Sequence, residues 1–147
     1  KFGKCELKSN IEIPQSAFNP KRGQYLSTAI LSKLEQINVP EDSKILGVTN
    51  VDLYVSSLNF VFGEASLAGK TAVISLARLK PEFYGFPPHE AHFRQRMVKE
   101  AVHELGHTLG LRHCPDKHCV MYFSNSLRDT DIKSDQFCQN CLKKLGT

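Results

Sequence analysis

Three histidines, a glutamate and a cysteine fall within one short run, His103-Glu-Leu-Gly-His-Thr-Leu-Gly-Leu-Arg-His-Cys114. His103 and His107 stand at i and i+4, so on a helix their imidazoles project from one face a turn apart and can chelate a single ion. H-E-x-x-H on a helix is a zinc pattern in which the glutamate, here Glu104, is the general base. Gly110 lets the backbone leave the helix sharply, and His113 then turns back as a third ligand. Three neutral imidazoles leave one position of a tetrahedral zinc open, as catalytic sites require. The chemistry implied is hydrolysis: the ion acidifies a water, Glu104 takes its proton, and the same carboxyl later protonates the leaving amine. By average residue usage, this extended pattern arises by chance on the order of once in 10⁵ such chains.

Four of the five cysteines follow closely: Cys114, Cys119, Cys138 and Cys141. Both pairs have spacings that suit thiolates on one tetrahedral zinc, and clustered thiols without a signal sequence favour metal over disulfides. A site closed by four thiolates has no position for water, so its role is structural: it ties down a tail too short to build much core alone. Adjacent residues in extended backbone point in opposite directions, so His113 can face a catalytic ion while Cys114 faces a structural one. Two Zn2+ per chain are expected. The alternatives are a Cys138–Cys141 redox pair, whose usual thioredoxin-like context is absent, and an iron–sulfur cluster. His118 is a spare ligand, and Cys5 is expected to be a buried free thiol.

The extended histidine motif resembles the long zinc signature of the metzincins. The interleaving of His113 with Cys114, Cys119, Met121 and the Cys138–Cys141 pair resembles the archaemetzincins more narrowly. Lys99-Glu-Ala-Val-His-Glu, Tyr122-Phe-Ser-Asn-Ser and Leu58-Asn-Phe-Val-Phe-Gly63 are similar to that family too, so the resemblance runs from about Gly47 to Cys141. It implies a zinc metallopeptidase with Met121 in a tight turn beneath the metal. It also implies that Tyr122 to Leu127 wall the pocket on the primed side. Some metzincins place a tyrosine two residues after the methionine; here Tyr122 follows Met121 directly, so that role is not transferred.

The elements that must position these groups can be read from periodicity. Phe93 to Leu109 is expected to be the zinc-binding helix, with Met97, Val98, Ala101, Leu105 and Leu109 as its core-facing stripe. Gln24 to Gln36 reads as an amphipathic helix through Leu26, Ile30, Leu31 and Leu34. Phe2 to Leu7 and Lys44 to Val48 read as strands. Phe60 to Ser66 and Thr71 to Leu79 read as two more, joined by a turn at Ala68-Gly69-Lys70. The more apolar Thr71–Leu79 run belongs inside the sheet and the first suits an edge, where an extended peptide can add as a strand; Phe60, Phe62, Tyr122 and Phe123 are the candidate substrate contacts. Proline and glycine mark Lys80 to Pro88 as a loop.

The 147 residues suit one domain, and the resemblance implies an α/β (α+β) zincin fold of metzincin type. A twisted mixed sheet with packed helices ends at about residue 113, and a small cysteine-held subdomain follows. A net charge of +4 is spread along the chain among acidic residues, and Trp is absent, which argues against a nucleic-acid surface. No apolar run is long enough for a membrane span. The expected partner is a peptide or protein, the expected state a monomer, and the expected location cytoplasmic. A catalytically silent zinc or peptide-binding protein of the same fold is the alternative.

Overall fold

In the computed structural model, which describes residues 2–146, short strands alternate with helices. In chain order they are β1 (Phe18–Asn19), β2 (Gln24–Leu26), α1 (Ser27–Glu35), β3 (Ile45–Thr49), β4 (Leu53–Tyr54), β5 (Gly63–Ala65), β6 (Thr71–Ser75), α2 (Glu90–Thr108), α3 (Leu127–Ile132) and α4 (Gln139–Lys144). The strands form two three-stranded mixed sheets, β1-β2-β4 and β3-β6-β5, linked by a bridge between Leu53 and Val61. β6 is central, parallel to β3 and antiparallel to β5, and each of its five residues is buried. That is the continuous apolar pattern of a strand covered on both faces. Val73 packs with Ile30, Leu31 and Leu34 of α1. Ile74 points the other way, as does Gly63 opposite it, toward α2.

Several elements are shorter than the periodicity implies. The expected Gln24–Gln36 helix gives its first three residues to β2, where Tyr25 N–H donates to Asp52 C=O at 2.9 Å and the chain pairs with β4. The Thr71–Leu79 run leaves the sheet after Ser75 and ends in a 3-10 turn, Ala77–Leu79. A second 3-10 turn, Pro81–Tyr84, gives order to the proline-rich loop. Phe2 to Leu7 forms no strand, because no sheet edge lies beside it: Leu7 is 98% exposed, and Cys5, expected to be buried, is exposed. Phe2 alone docks, edge-on against Phe137 with ring centroids 6.4 Å apart.

The largest departure is the orientation of α2. None of the expected apolar stripe is fully buried, with Met97, Ala101 and Leu105 half-buried and Val98 and Leu109 exposed, while Arg96, Glu100, His103 and Glu104 are all at least nine-tenths buried. Those residues recur at i, i+4, i+7 and i+8, so they form a helical face of their own, and this polar face packs on β5 and β6. The inversion is stable because the Arg96 and Glu100 charges are paired. Arg96 forms a bidentate pair with Asp131 of α3 at 2.9 and 3.0 Å and donates to Leu79 C=O. Lys133, with no exposed side-chain surface, lies 3.0 Å from Glu100 and donates to Tyr122 C=O, and the Thr130 hydroxyl also donates to Glu100. A second apolar cluster, Leu111, Cys119, Val120, Met121, Phe137 and Cys141, fills the C-terminal region.

Candidate active site and metal-ligand clusters

α2 ends where the sequence places its stop. Gly110 has φ +97°, its N–H donates to His107 C=O, and Leu111 N–H reaches back to Gly106 C=O, the paired bonds of a Schellman turn. That turn aims Leu111 C=O at the ring of His107, whose Nδ1 donates to it at 2.7 Å. His103 Nδ1 donates to Val120 C=O, also at 2.7 Å. A carbonyl can only accept, so each ring carries its proton on Nδ1 and leaves the Nε2 lone pair free, the usual preparation of a metal-binding imidazole. His113 completes the group from the loop beyond Gly110. Its ring lies 5.3 Å from that of His103 and 4.9 Å from that of His107, with Phe123 against its other side.

One nitrogen from each ring lies within 4.8 Å of the others, close enough to converge on a single cation. Burial lowers the proton affinity of all three imidazoles. The Lys133 charge adds to this, in the direction that favours the neutral ring a metal ligand needs. Burial acts oppositely on Glu104, pushing its carboxyl well above the usual range with help from Glu100 and against the pull of Lys133. The residues therefore fit a zinc ion with one position open.

The four cysteines fit differently. Cys114 and Cys138 sulfurs are 3.7 Å apart, as are those of Cys119 and Cys141, and all four thiols are free. A disulfide needs about 2.05 Å. Four sulfurs held about 2.3 Å from one zinc are roughly 3.8 Å apart, the edge of that tetrahedron. Cys119 Sγ also accepts from the N–H groups of Met121 and Cys138, and the Cys138 thiol is drawn down to about 7, chiefly by the N–H of Cys141. His118 is exposed and stands outside the group.

The histidines open onto a cavity of about 400 Å³. β5 walls one side, with Phe60 and Phe62 leading into it, and Phe123, Ser124 and Arg112 stand across from it. Gly63 is required where it stands: a Cβ there would lie 2.9 Å from Glu104 Cγ and 2.4 Å from Val73 C=O. Met121 is wholly buried, and its sulfur would meet a Cβ on Gly106 at 2.5 Å, which puts it under the helix between the two histidines. Of the four candidate substrate contacts, Phe60, Phe62 and Phe123 line the cavity; Tyr122 is half-buried outside its lining, and its carbonyl is held by Lys133. The sequence reading missed Glu100 and Lys133. Glu100 is legible in hindsight, because it extends the His103–Glu104–His107 face by one turn. Lys133 carries no local signal.

Comparison with known proteins agrees with this geometry. The family model for Peptidase family M54 matches residues 4–147. The archaemetzincin of Methanocaldococcus jannaschii is 55% identical over 144 residues, covering 98% of this chain and 78% of that protein. The crystal structure of archaemetzincin from Methanopyrus kandleri superposes with a TM-score of 0.84 at 46% identity, covering 92% of this chain and 71% of that one. That of the Archaeoglobus fulgidus archaemetzincin, complexed with malonate, gives 0.77 at 44% identity over 91% of this chain and 77% of that one. A match that spans both ligand clusters and nearly every residue settles the family: the chain belongs to Peptidase family M54 and is a zinc metallopeptidase.

Proposed function

We propose that the cavity hydrolyses peptide bonds with Glu104 as general base, and that the chain holds two zinc ions. His103, His107 and His113 hold the catalytic one, and Cys114, Cys119, Cys138 and Cys141 the structural one. The observation that carries this reading is a buried carboxylate beside three converging imidazoles, at the floor of a cleft walled by an edge strand. When bound, zinc supplies a Lewis acid that polarises the scissile carbonyl and acidifies the attacking water. The chain's own residues do the rest. Glu104 accepts the water's proton on its carboxylate, holds it, and returns it to the leaving nitrogen.

β5 has β6 on one side and no strand on the other, so an extended peptide can add to its free edge. The bare Gly63 lets that edge lie close over Glu104. Phe60, Phe62 and Phe123 give the cleft apolar walls for side chains flanking the scissile bond. Tyr122 acts indirectly, through the carbonyl by which Lys133 fixes this segment. Met121 forms the floor of the histidine site. Both clusters are complete within one chain, which supports a monomer as the working unit. Among the described residues no helix is long and apolar enough to cross a membrane.

The test is a contrast between two variants. Glu104→Ala keeps both zincs and the fold while hydrolysis of a validated peptide falls by roughly 10²-fold or more, the scale of a general-base contribution. His107→Ala loses one zinc and the activity together. Wild-type hydrolysis rates in Glu104→Ala would contradict the mechanism.

A further inference from the structure

Beyond the histidine cleft the surface carries an ordered group of aromatic side chains that catalysis does not use. Phe83 and Tyr84 are 49% and 40% exposed, their rings in edge contact at 5.1 Å. They belong to the 3-10 turn Pro81–Tyr84, anchored by buried Pro81 and by the Tyr84 hydroxyl, which donates to Arg78 C=O at 2.6 Å. The Arg78 guanidinium is itself immobilised, bidentate to Asp52 at 2.8 Å on both bonds, and Gln24 holds Asp52 in turn. Two rings lie against the guanidinium, with centroids 4.2 Å (Phe60) and 4.9 Å (Phe83) from its central carbon.

Phe60 is the link, since it also lines the catalytic cavity and touches Phe62 with ring centroids 5.1 Å apart. A continuous stack thus runs from the cleft wall, across a neutralised guanidinium, to two rings in solvent. Exposed apolar groups held this rigidly mark interaction surfaces, and aromatic and arginine side chains carry most of the energy at such places.

We propose that this Phe60–Arg78–Phe83–Tyr84 ledge extends the cleft and receives an apolar or aromatic segment of the polypeptide substrate, away from the scissile bond. The proposal rests on reading the cleft as the peptidase site. Its occupant follows from continuity: Phe60 lines the cleft and lies against Arg78, which lies against Phe83, so a chain leaving the cleft at Phe60 meets the ledge. Arg78 is charge-compensated by Asp52, so the ledge selects apolar side chains, not acidic ones.

The experiment compares wild type with Phe83→Gln/Tyr84→Gln on two peptides sharing one cleavage site: a short one spanning only the residues beside the bond, and a long one that reaches the ledge with a Phe or Leu. On the long peptide the variant should lose on the order of tenfold in kcat/KM, mostly through KM, from two aromatic contacts. The short peptide should be cleaved at the wild-type rate, and Phe83→Tyr should restore the long one. Equal losses on both peptides, or no loss on either, would overturn the proposal. So would concentration-dependent dimerisation of the wild type that the variant abolishes, because the ledge would then serve a second copy of the chain. Fluorescence anisotropy of the labelled long peptide separates the two readings. If wild type cleaves nothing yet binds this peptide tighter than the variant does, the catalytic reading fails and the ledge stands; equal binding removes the ledge.

Discussion

The two ligand clusters share the peptide bond between His113 and Cys114, yet they are built in opposite ways. The histidines come from one helix and the loop that returns from it, and they open onto the cleft. The cysteines come from two segments, with Cys119 and Cys141 at 1% and 2% exposure inside an apolar cluster. Imidazoles are neutral ligands that leave a cation reactive; four thiolates over-compensate its charge and close it off. Three hydrogen bonds run through the segment that joins the clusters. Cys119 Sγ accepts from Met121 N–H, Val120 C=O orients His103, and Met121 C=O accepts from Cys114 N–H. We read the cysteine region as the frame on which the histidine region is aligned, because it supplies the carbonyl that orients His103.

Breaking the frame should have the largest effect. Cys119→Ser is expected to lose the structural zinc, unfold the segment from Cys114 onward and abolish hydrolysis. Metal binding in such small sites is worth about 10–16 kcal/mol, more than a short tail can supply otherwise. Zinc content and proteolytic sensitivity of the C-terminal segment measure it. A folded, active Cys119→Ser would make the two clusters independent.

A smaller effect is expected where the two regions meet in the Glu100–Lys133 pair. Lys133→Met leaves a buried carboxylate without its partner and should cost about 3–5 kcal/mol in urea unfolding. Glu100→Met/Lys133→Met should recover much of that loss. Failure of the double variant to recover would show that Lys133 matters chiefly through its hydrogen bond to Tyr122 C=O.

Much of this was legible in the residues, and the failures share one cause. The ligand spacing, the Gly110 stop, the Ala68-Gly69-Lys70 turn and the edge position of the Gly63 strand are local signals, and each appears where the chain places it. The orientation of α2 was misread because amphipathic logic puts apolar residues inside. Here Arg96 and Glu100 go inside because Asp131 and Lys133, more than thirty residues away, neutralise them. No periodicity within one helix reveals a partner at that distance. Cys5 and the Phe2–Leu7 run failed for a related reason: β propensity makes a strand only where an unpaired edge lies alongside.

The mildest expected effect concerns acid stability at the α2–α3 junction. Burial works to raise the Asp131 carboxyl, but the hydrogen bonds and charge of Arg96, with His92, outweigh it and hold the group below its ordinary 3.8. A carboxylate with a depressed folded-state value stabilises the fold fully above the unfolded value, and that contribution fades as pH falls through the lower folded one. Asp131→Asn should therefore lower Tm near neutrality and flatten its decline below about pH 4. A parallel acid limb in the two proteins would remove Asp131 from the account.

That the cysteine region frames the histidine region is tested most directly by counting zinc per chain during graded chelation, with activity and circular dichroism followed on the same samples. The account expects two zincs at the start. The first should leave together with all hydrolysis and no change in fold, and the second only as the C-terminal segment unfolds. Loss of the fold with the first zinc, or a catalytic zinc retained beside thiols oxidised in pairs, would contradict it.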